Sequence, residues 1–131
     1  MPVERLLLID DSDIDNMVNK KMVEKYGFAT DIVVKKSAQA GLDYLQEILE
    51  MDSAALPEII FLDIRMPEID GFGFLERYEF LDFRIKQSCR IVMLSSSIDA
   101  EDYRRAMENP YVIHFINKPL TQKALDELQD K

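Results

Sequence analysis

The sequence is short of several things, and each shortage removes a class of protein. There is one cysteine, Cys89, so no internal disulfide can form and a reducing cytoplasm is the expected setting. No apolar run exceeds four residues (Leu6–Ile9, Ile59–Leu62 and Ile91–Leu94), far below the roughly 18 that a membrane span needs. The opening Met-Pro-Val-Glu-Arg lacks the charged-then-apolar order of a signal peptide. Basic residues are outnumbered, 16 against 25 acidic, and the net charge of −9 repels phosphate backbones and anionic lipids. No Gly/Ser linker, low-complexity tract or 20–50-residue repeat divides the chain. Membrane insertion, secretion and direct nucleic-acid binding are therefore not expected.

What is present is ordinary globular material: 131 residues, 47% apolar and 31% charged, enough for one domain with a sizeable core. Short β-rich runs alternate with segments of helical period. Arg5–Ile9 has no polar alternation and predicts a strand buried on both faces. Ile14, Met17, Val18 and Met22 predict the inner face of a helix over Asp13–Tyr26, with Gly27 just past its end. Thr30–Lys35 predicts a second strand. Ser37 predicts the N-cap of a helix to about Met51 along Ala38, Leu42, Leu45 and Leu49. Pro57 then opens a third strand, Glu58–Leu62. The Phe74/Leu75/Tyr78/Leu81 pattern predicts a third helix, Arg90–Leu94 a fourth strand, and Asp99 the cap of a helix to about Met107. Val112–Ile116 and a short helix capped by Thr121 complete the chain. Five strands alternating with five helices predict right-handed crossovers over a parallel sheet, a three-layer α/β sandwich.

Ligands of such sheets bind beyond the carboxyl ends of the strands. The first strand is followed by Asp10 and Asp11, the third by Asp63, the fourth by Ser95, and the fifth, one residue on, by Lys118. Three carboxylates held together resist ionising without a cation, and an all-oxygen set suits a hard divalent ion, Mg2+ above all. A lysine and a hydroxyl supply the other needs of a phosphoryl group, a positive charge and a donor. The set reads as an acceptor site for phosphoryl transfer to a carboxylate. Each residue alone has an ordinary alternative. Acids after strands also serve as helix caps, Asp13 and Asp15 suit the helix dipole and nothing more, Ser95–Ser97 suits a polar turn, and Lys118-Pro119 a loop. Their coincidence at equivalent strand ends favours the joint reading.

The blocks LLLIDD, FLDIRMPEIDG, IVMLSS and FINKP stand in the order and near the spacing of response-regulator receiver domains, and the chain resembles that family along nearly its whole length. The resemblance implies a doubly wound flavodoxin-like (βα)5 fold with strand order 2-1-3-4-5, for which a receiver is a standard example. It implies that Asp63 accepts a phosphoryl group from a phosphohistidine on a sensor histidine kinase or histidine phosphotransfer protein. Asp11, Asp63 and the backbone carbonyl of Arg65 would ligate Mg2+, with Asp10 acting through a bound water. Lys118 would pair with the phosphoryl oxygens, Ser95 would swing in to hydrogen-bond them, and Phe115 would be the switch aromatic coupled to that serine. Phe115 also suits plain core packing. Pro67 and Gly71 match the loop after the acceptor, where glycine permits unusual backbone geometry. Arg65 and Ser97 occupy positions that tune hydrolysis of the phosphoryl group in the family.

The stretch Gln46–Pro57 is longer than in the shortest members and is expected to extend the second helix or its loop. Lys118 stands 13 residues from the end, so the expectation is a single receiver over residues 1–131 without an output domain and without an activity on other substrates. Its downstream protein partner would bind the Asp99–Lys131 face, and a phosphorelay shuttle is the close variant. A haloacid-dehalogenase-type phosphohydrolase is disfavoured because Asp126, Glu127 and Asp130, the acids after Lys118, fall in a predicted helix. A flavodoxin is disfavoured by acids where a phosphate loop would stand. The remaining alternative is a receiver-like protein-binding module that works without phosphorylation.

Overall fold

A computed structural model describes residues 2–97 and 99–129. Five parallel strands, β1 (Val3–Ile9), β2 (Ala29–Lys35), β3 (Ile59–Asp63), β4 (Arg90–Ser95) and β5 (Val112–Asn117), form one sheet in the order β2-β1-β3-β4-β5. The register sets Leu7 beside Val33 on one flank and Ile60 on the other, Ile60 beside Ile91, and Asp63 beside Leu94. The helices are α1 (Asp13–Lys25), α2 (Ala38–Met51), α3 (Gly71–Tyr78), α4 (Phe83–Ser88), α5 (Ala100–Glu108) and α6 (Gln122–Gln129).

The unalternating strands divide their side chains between two cores because successive residues point to opposite faces. Leu7, Ile9, Ile60, Leu62, Ile91 and Met93 face one layer, with Leu45 of α2 and Phe74 and Tyr78 of α3. Leu6, Leu8, Phe61, Val92 and Leu94 face the other, with Val23 of α1 and Leu125 and Leu128 of α6. Each fully buried leucine or isoleucine contributes about 1.5–3 kcal/mol, so the two layers clamp the sheet and leave its carboxyl rim for polar residues.

Two sequence expectations need correction, and a third, on Gln46–Pro57, is met. The inner face of α1 is Asn16, Asn19 and Val23; Ile14 is 70% and Met17 51% exposed, with Val18 and Met22 between the extremes. The helix is turned because its first turn is tied to the sheet end: Asn16 Nδ2 donates to the Asp10 carbonyl at 2.8 Å, a bond no apolar residue can make. Among the described residues the expected five helices are six. The third helical pattern breaks after Tyr78, and Asp82 caps the separate α4, its carboxylate accepting from the Arg84 N–H at 2.9 Å. Gln46–Pro57 comprises the end of α2 and one 3₁₀ turn, Ser53–Ala55. The caps at Ser37 and Asp99 and the positive φ of 61° at Gly27 fall where local signals place them.

Candidate functional site

The carboxyl ends of β1, β3, β4 and β5 converge, and the rim residues are fixed through the backbone. The Ile64 N–H donates to the Leu94 carbonyl at 3.1 Å, and the Lys118 N–H to the Ser95 carbonyl at 2.7 Å. Asp10 sits where β1 gives way to α1, its carboxylate accepting from the Ser12 N–H at 2.9 Å. Ser12 in turn caps α1. The peptide bond between Lys118 and Pro119 is cis.

Asp10, Asp11 and Asp63 each offer a carboxylate oxygen within 4.8 Å of the others, Asp10 and Asp63 buried and Asp11 exposed. Into this group reaches the Lys118 ammonium, 2.7 Å from Asp10 Oδ2, 2.9 Å from Asp15 Oδ2 and 3.0 Å from Asp63 Oδ1. Burial raises the Asp63 carboxyl from the ordinary 3.8 to about 6; the Lys118 hydrogen bond opposes this and the Asp10 charge adds to it. Burial works against the Lys118 ammonium, yet its hydrogen bonds to Asp10, Asp15 and Asp63 outweigh that and hold it above the ordinary lysine value. A buried acid that ionises reluctantly among other acids is short of positive charge. Three oxygen donors converging from two strand ends, with one open side at exposed Asp11, fit a hard divalent cation.

The other sequence candidates divide. Ser95 is buried at the end of β4, but its hydroxyl donates to the Ser97 carbonyl at 2.7 Å, inside its own turn. Phe115 is half-buried on β5 and meets Tyr103 of α5 edge to face at 5.4 Å. The Arg65 guanidinium does not turn to the carboxylates; it pairs with Asp102, a buried acid in the first turn of α5. Gly71 is required by closeness, not by an unusual φ. A Cβ there would lie 2.7 Å from the Asp63 carbonyl oxygen and 3.0 Å from Ile64 Cα, and its N–H donates to the Ile64 carbonyl at 2.8 Å.

Sequence reading missed two participants. Asp15 is a first-turn acid, as expected, and also a direct partner of Lys118. Asp13 does match its surface reading, pairing with exposed Lys36 at 2.7 Å. Asp102 was legible as an acid near a helix start, but its arginine lies 37 positions away in sequence.

Residues 6–129 match the family model described as the response regulator receiver domain. The chain is similar to the probable methanogenesis regulatory protein FilR2 of Methanothrix harundinacea, 30% identical over 134 residues, covering 95% of this chain and 81% of the relative. It is also 32% identical over 117 residues to a protein-glutamate methylesterase/protein-glutamine glutaminase of Burkholderia thailandensis, covering 88% of this chain but 29% of that protein. A two-component response regulator from Cytophaga hutchinsonii superposes with a TM-score of 0.92 at 30% identity, over 99% of this chain and 96% of the other. A response regulator receiver protein from Dyadobacter fermentans does so at 0.85 and 33% identity, over 97% and 95%.

Proposed function

Because the chain belongs to the response regulator receiver family, we propose that Asp63 is the phosphoryl acceptor of a two-component system and that its modification switches a protein-binding surface or passes the group onward. The observation that carries this reading is the burial of Asp63 beside two further carboxylates and 3.0 Å from the Lys118 ammonium. An Asp63 oxygen forms the new O–P bond as the P–N bond of a phosphohistidine breaks. The departing imidazole keeps the electron pair and takes up a proton. Histidine on a sensor kinase or a phosphotransfer protein is the donor this assigns. Asp10, Asp11, Asp63 and the Arg65 carbonyl are the residues that would hold Mg2+. When bound, the ion offsets the carboxylate charge and leaves positions for phosphoryl oxygens. Lys118 supplies a fixed positive charge to those oxygens.

Switching falls to Ser95, whose hydroxyl must leave Ser97 to meet the phosphoryl group, and to Phe115, which packs on Tyr103. A shift of that ring reaches α5 directly, so α5, β5 and α6 form the surface on which a protein partner would read the change. Tyr103 is 52% and Met107 38% exposed there, apolar area a partner can bury. Of the expected face Asp99–Lys131, Asp130 and Lys131 lie outside the described residues. No helix among the described residues is long and apolar enough to cross a membrane, and a cytoplasmic setting and no activity on other substrates complete the proposal.

The test is intact-mass analysis after incubation with acetyl phosphate, with and without Mg2+, on wild type and Asp63→Asn. A single Mg2+-dependent, hydroxylamine-labile adduct on wild type alone is the expected result. Absence of an adduct with both acetyl phosphate and a phosphorylated kinase would refute the acceptor role and leave a phosphorylation-independent binding module.

A further inference from the structure

The Lys118 ammonium faces three carboxylates: it donates hydrogen bonds to Asp10 at the end of β1 and to Asp15 in the first turn of α1, and it lies 3.0 Å from Asp63 at the end of β3. These partners are not equivalent. Asp10 and Asp63 belong to the cluster of three acids that converge on one point, and Asp15 does not. Any cation at that point draws on Asp10 and Asp63 oxygens, and a phosphoryl group on Asp63 removes that carboxylate's full charge. Two of the three contacts of Lys118 are thus drawn on when the site works, and the Asp15 contact is not among them.

Asp15 is well placed to persist. Its backbone N–H donates to the Ser12 Oγ at 3.2 Å, so its position is set by the helix cap. The next residue, Asn16, donates from Nδ2 to the Asp10 carbonyl at 2.8 Å, tying the same turn to the end of β1. The Asp15 side chain remains 41% exposed while that of Lys118 is 9% exposed, so the carboxylate meets the ammonium from the solvent side of the rim and does not compete for the buried acceptor.

From this geometry we infer that Asp15 is the positioning residue of Lys118, the attachment that keeps the ammonium aimed at the acceptor while Asp10 and Asp63 are engaged elsewhere. The inference rests on the acceptor reading of Asp63. A flexible lysine side chain with no remaining anchor would sample many rotamers, and the cost would appear as slower transfer.

The experiment compares initial rates of adduct formation from acetyl phosphate at saturating Mg2+ in wild type, Asp15→Ala, Asp13→Ala and Lys118→Ala, plus Lys118→Ala combined with Asp15→Ala. Asp13 is the control, since it also stands in the first turn but pairs with Lys36. The expected fall for Asp15→Ala is about tenfold, the scale of one charge-assisted hydrogen bond, with Asp13→Ala within about twofold of wild type and Asp15→Asn, which keeps an acceptor oxygen, close to wild type. In the Lys118→Ala background Asp15→Ala adds nothing. A second readout is the ¹⁵N–¹H signal of the Lys118 ammonium in the Mg2+-loaded protein, retained in wild type and lost by exchange in Asp15→Ala. An equal effect of Asp13→Ala, an unchanged rate in Asp15→Ala, or a retained ammonium signal in that variant would overturn the inference. No adduct on wild type would instead strike the acceptor reading beneath it.

Discussion

Replacing Asp63 by asparagine has a stability consequence that follows chiefly from burial and is large enough to measure. In the folded protein Asp63 is 5% exposed and its carboxyl titrates at about 6, against an ordinary 3.8. A raised value means that the fold prefers the neutral acid. Asp63 is therefore harmless to stability below about pH 4, and its cost grows between about pH 4 and pH 6 and is complete above that. The shift of roughly two units corresponds to about 3 kcal/mol at pH 8, at 1.36 kcal/mol per unit. Asparagine resembles the protonated acid in shape and stays neutral, and Lys118 keeps Asp10 and Asp15 as partners. In EDTA, Asp63→Asn is thus expected to match wild type near pH 4 and to exceed it by about 3 kcal/mol at pH 8, roughly 10 °C in Tm for a domain of this size. Urea unfolding and calorimetry at half-unit pH steps give the difference curve. A gain that is the same at pH 4 and pH 8, or no gain at pH 8, would show that desolvation of Asp63 is not what sets its titration.

Mg2+ is expected to stabilise wild type by about 2.7 kcal/mol at a hundredfold excess over Kd, rising logarithmically with concentration, and much less in Asp11→Asn; a thermal-shift titration reads both, and equal shifts would remove Asp11 from the ligand set. Gly71→Ala should cost about 1–3 kcal/mol, because its Cβ meets backbone at 2.7 Å, and should cost more than Gly41→Ala, whose Cβ meets side chains alone, Ile9 Cδ1 at 2.5 Å, Ile9 Cγ1 at 3.1 Å and Phe74 Cε2 at 3.5 Å. Urea unfolding decides, and the reverse order would count against the close-approach argument. Asp102→Ala and Arg65→Ala should couple by no more than about 1 kcal/mol in a double-mutant cycle, since the arginine side chain is 59% exposed; a coupling above about 2 kcal/mol would mean the pair is far better shielded than its exposure indicates.

The sheet and the rim were legible because both rest on local signals. Unalternating runs such as Leu6–Ile9 mark strands buried on both faces, and Asp10, Asp63, Ser95 and Lys118 occupy strand ends whatever the packing beyond them. The inward face of α1 was not legible, because a periodicity count ranks Ile14 and Met17 above Asn16 and Asn19 and knows nothing of the Asp10 carbonyl waiting for a donor. The six residues of α4 were merged into their neighbour since one cap, Asp82, is a weak signal within a continuing apolar pattern. Asp15–Lys118 and Arg65–Asp102 span 103 and 37 positions. No periodicity encodes such pairs, which exist only once the crossovers have brought α1 to β5 and the loop after Asp63 to α5.

The bridge from Arg65 to Asp102 has a thermodynamic corollary. It joins the segment two residues beyond Asp63 to the first turn of α5, so the two places share one equilibrium between bridge closed and bridge open. If occupancy at Asp63 biases that equilibrium, a molecule that grips α5 and prefers one state must alter the affinity of the Asp63 site by the same factor. Whatever docks on α5 then acts as an effector of the chemistry as well as its recipient, and a partner titrated into the protein would change the binding of a phosphoryl mimic before any signal passed in the other direction.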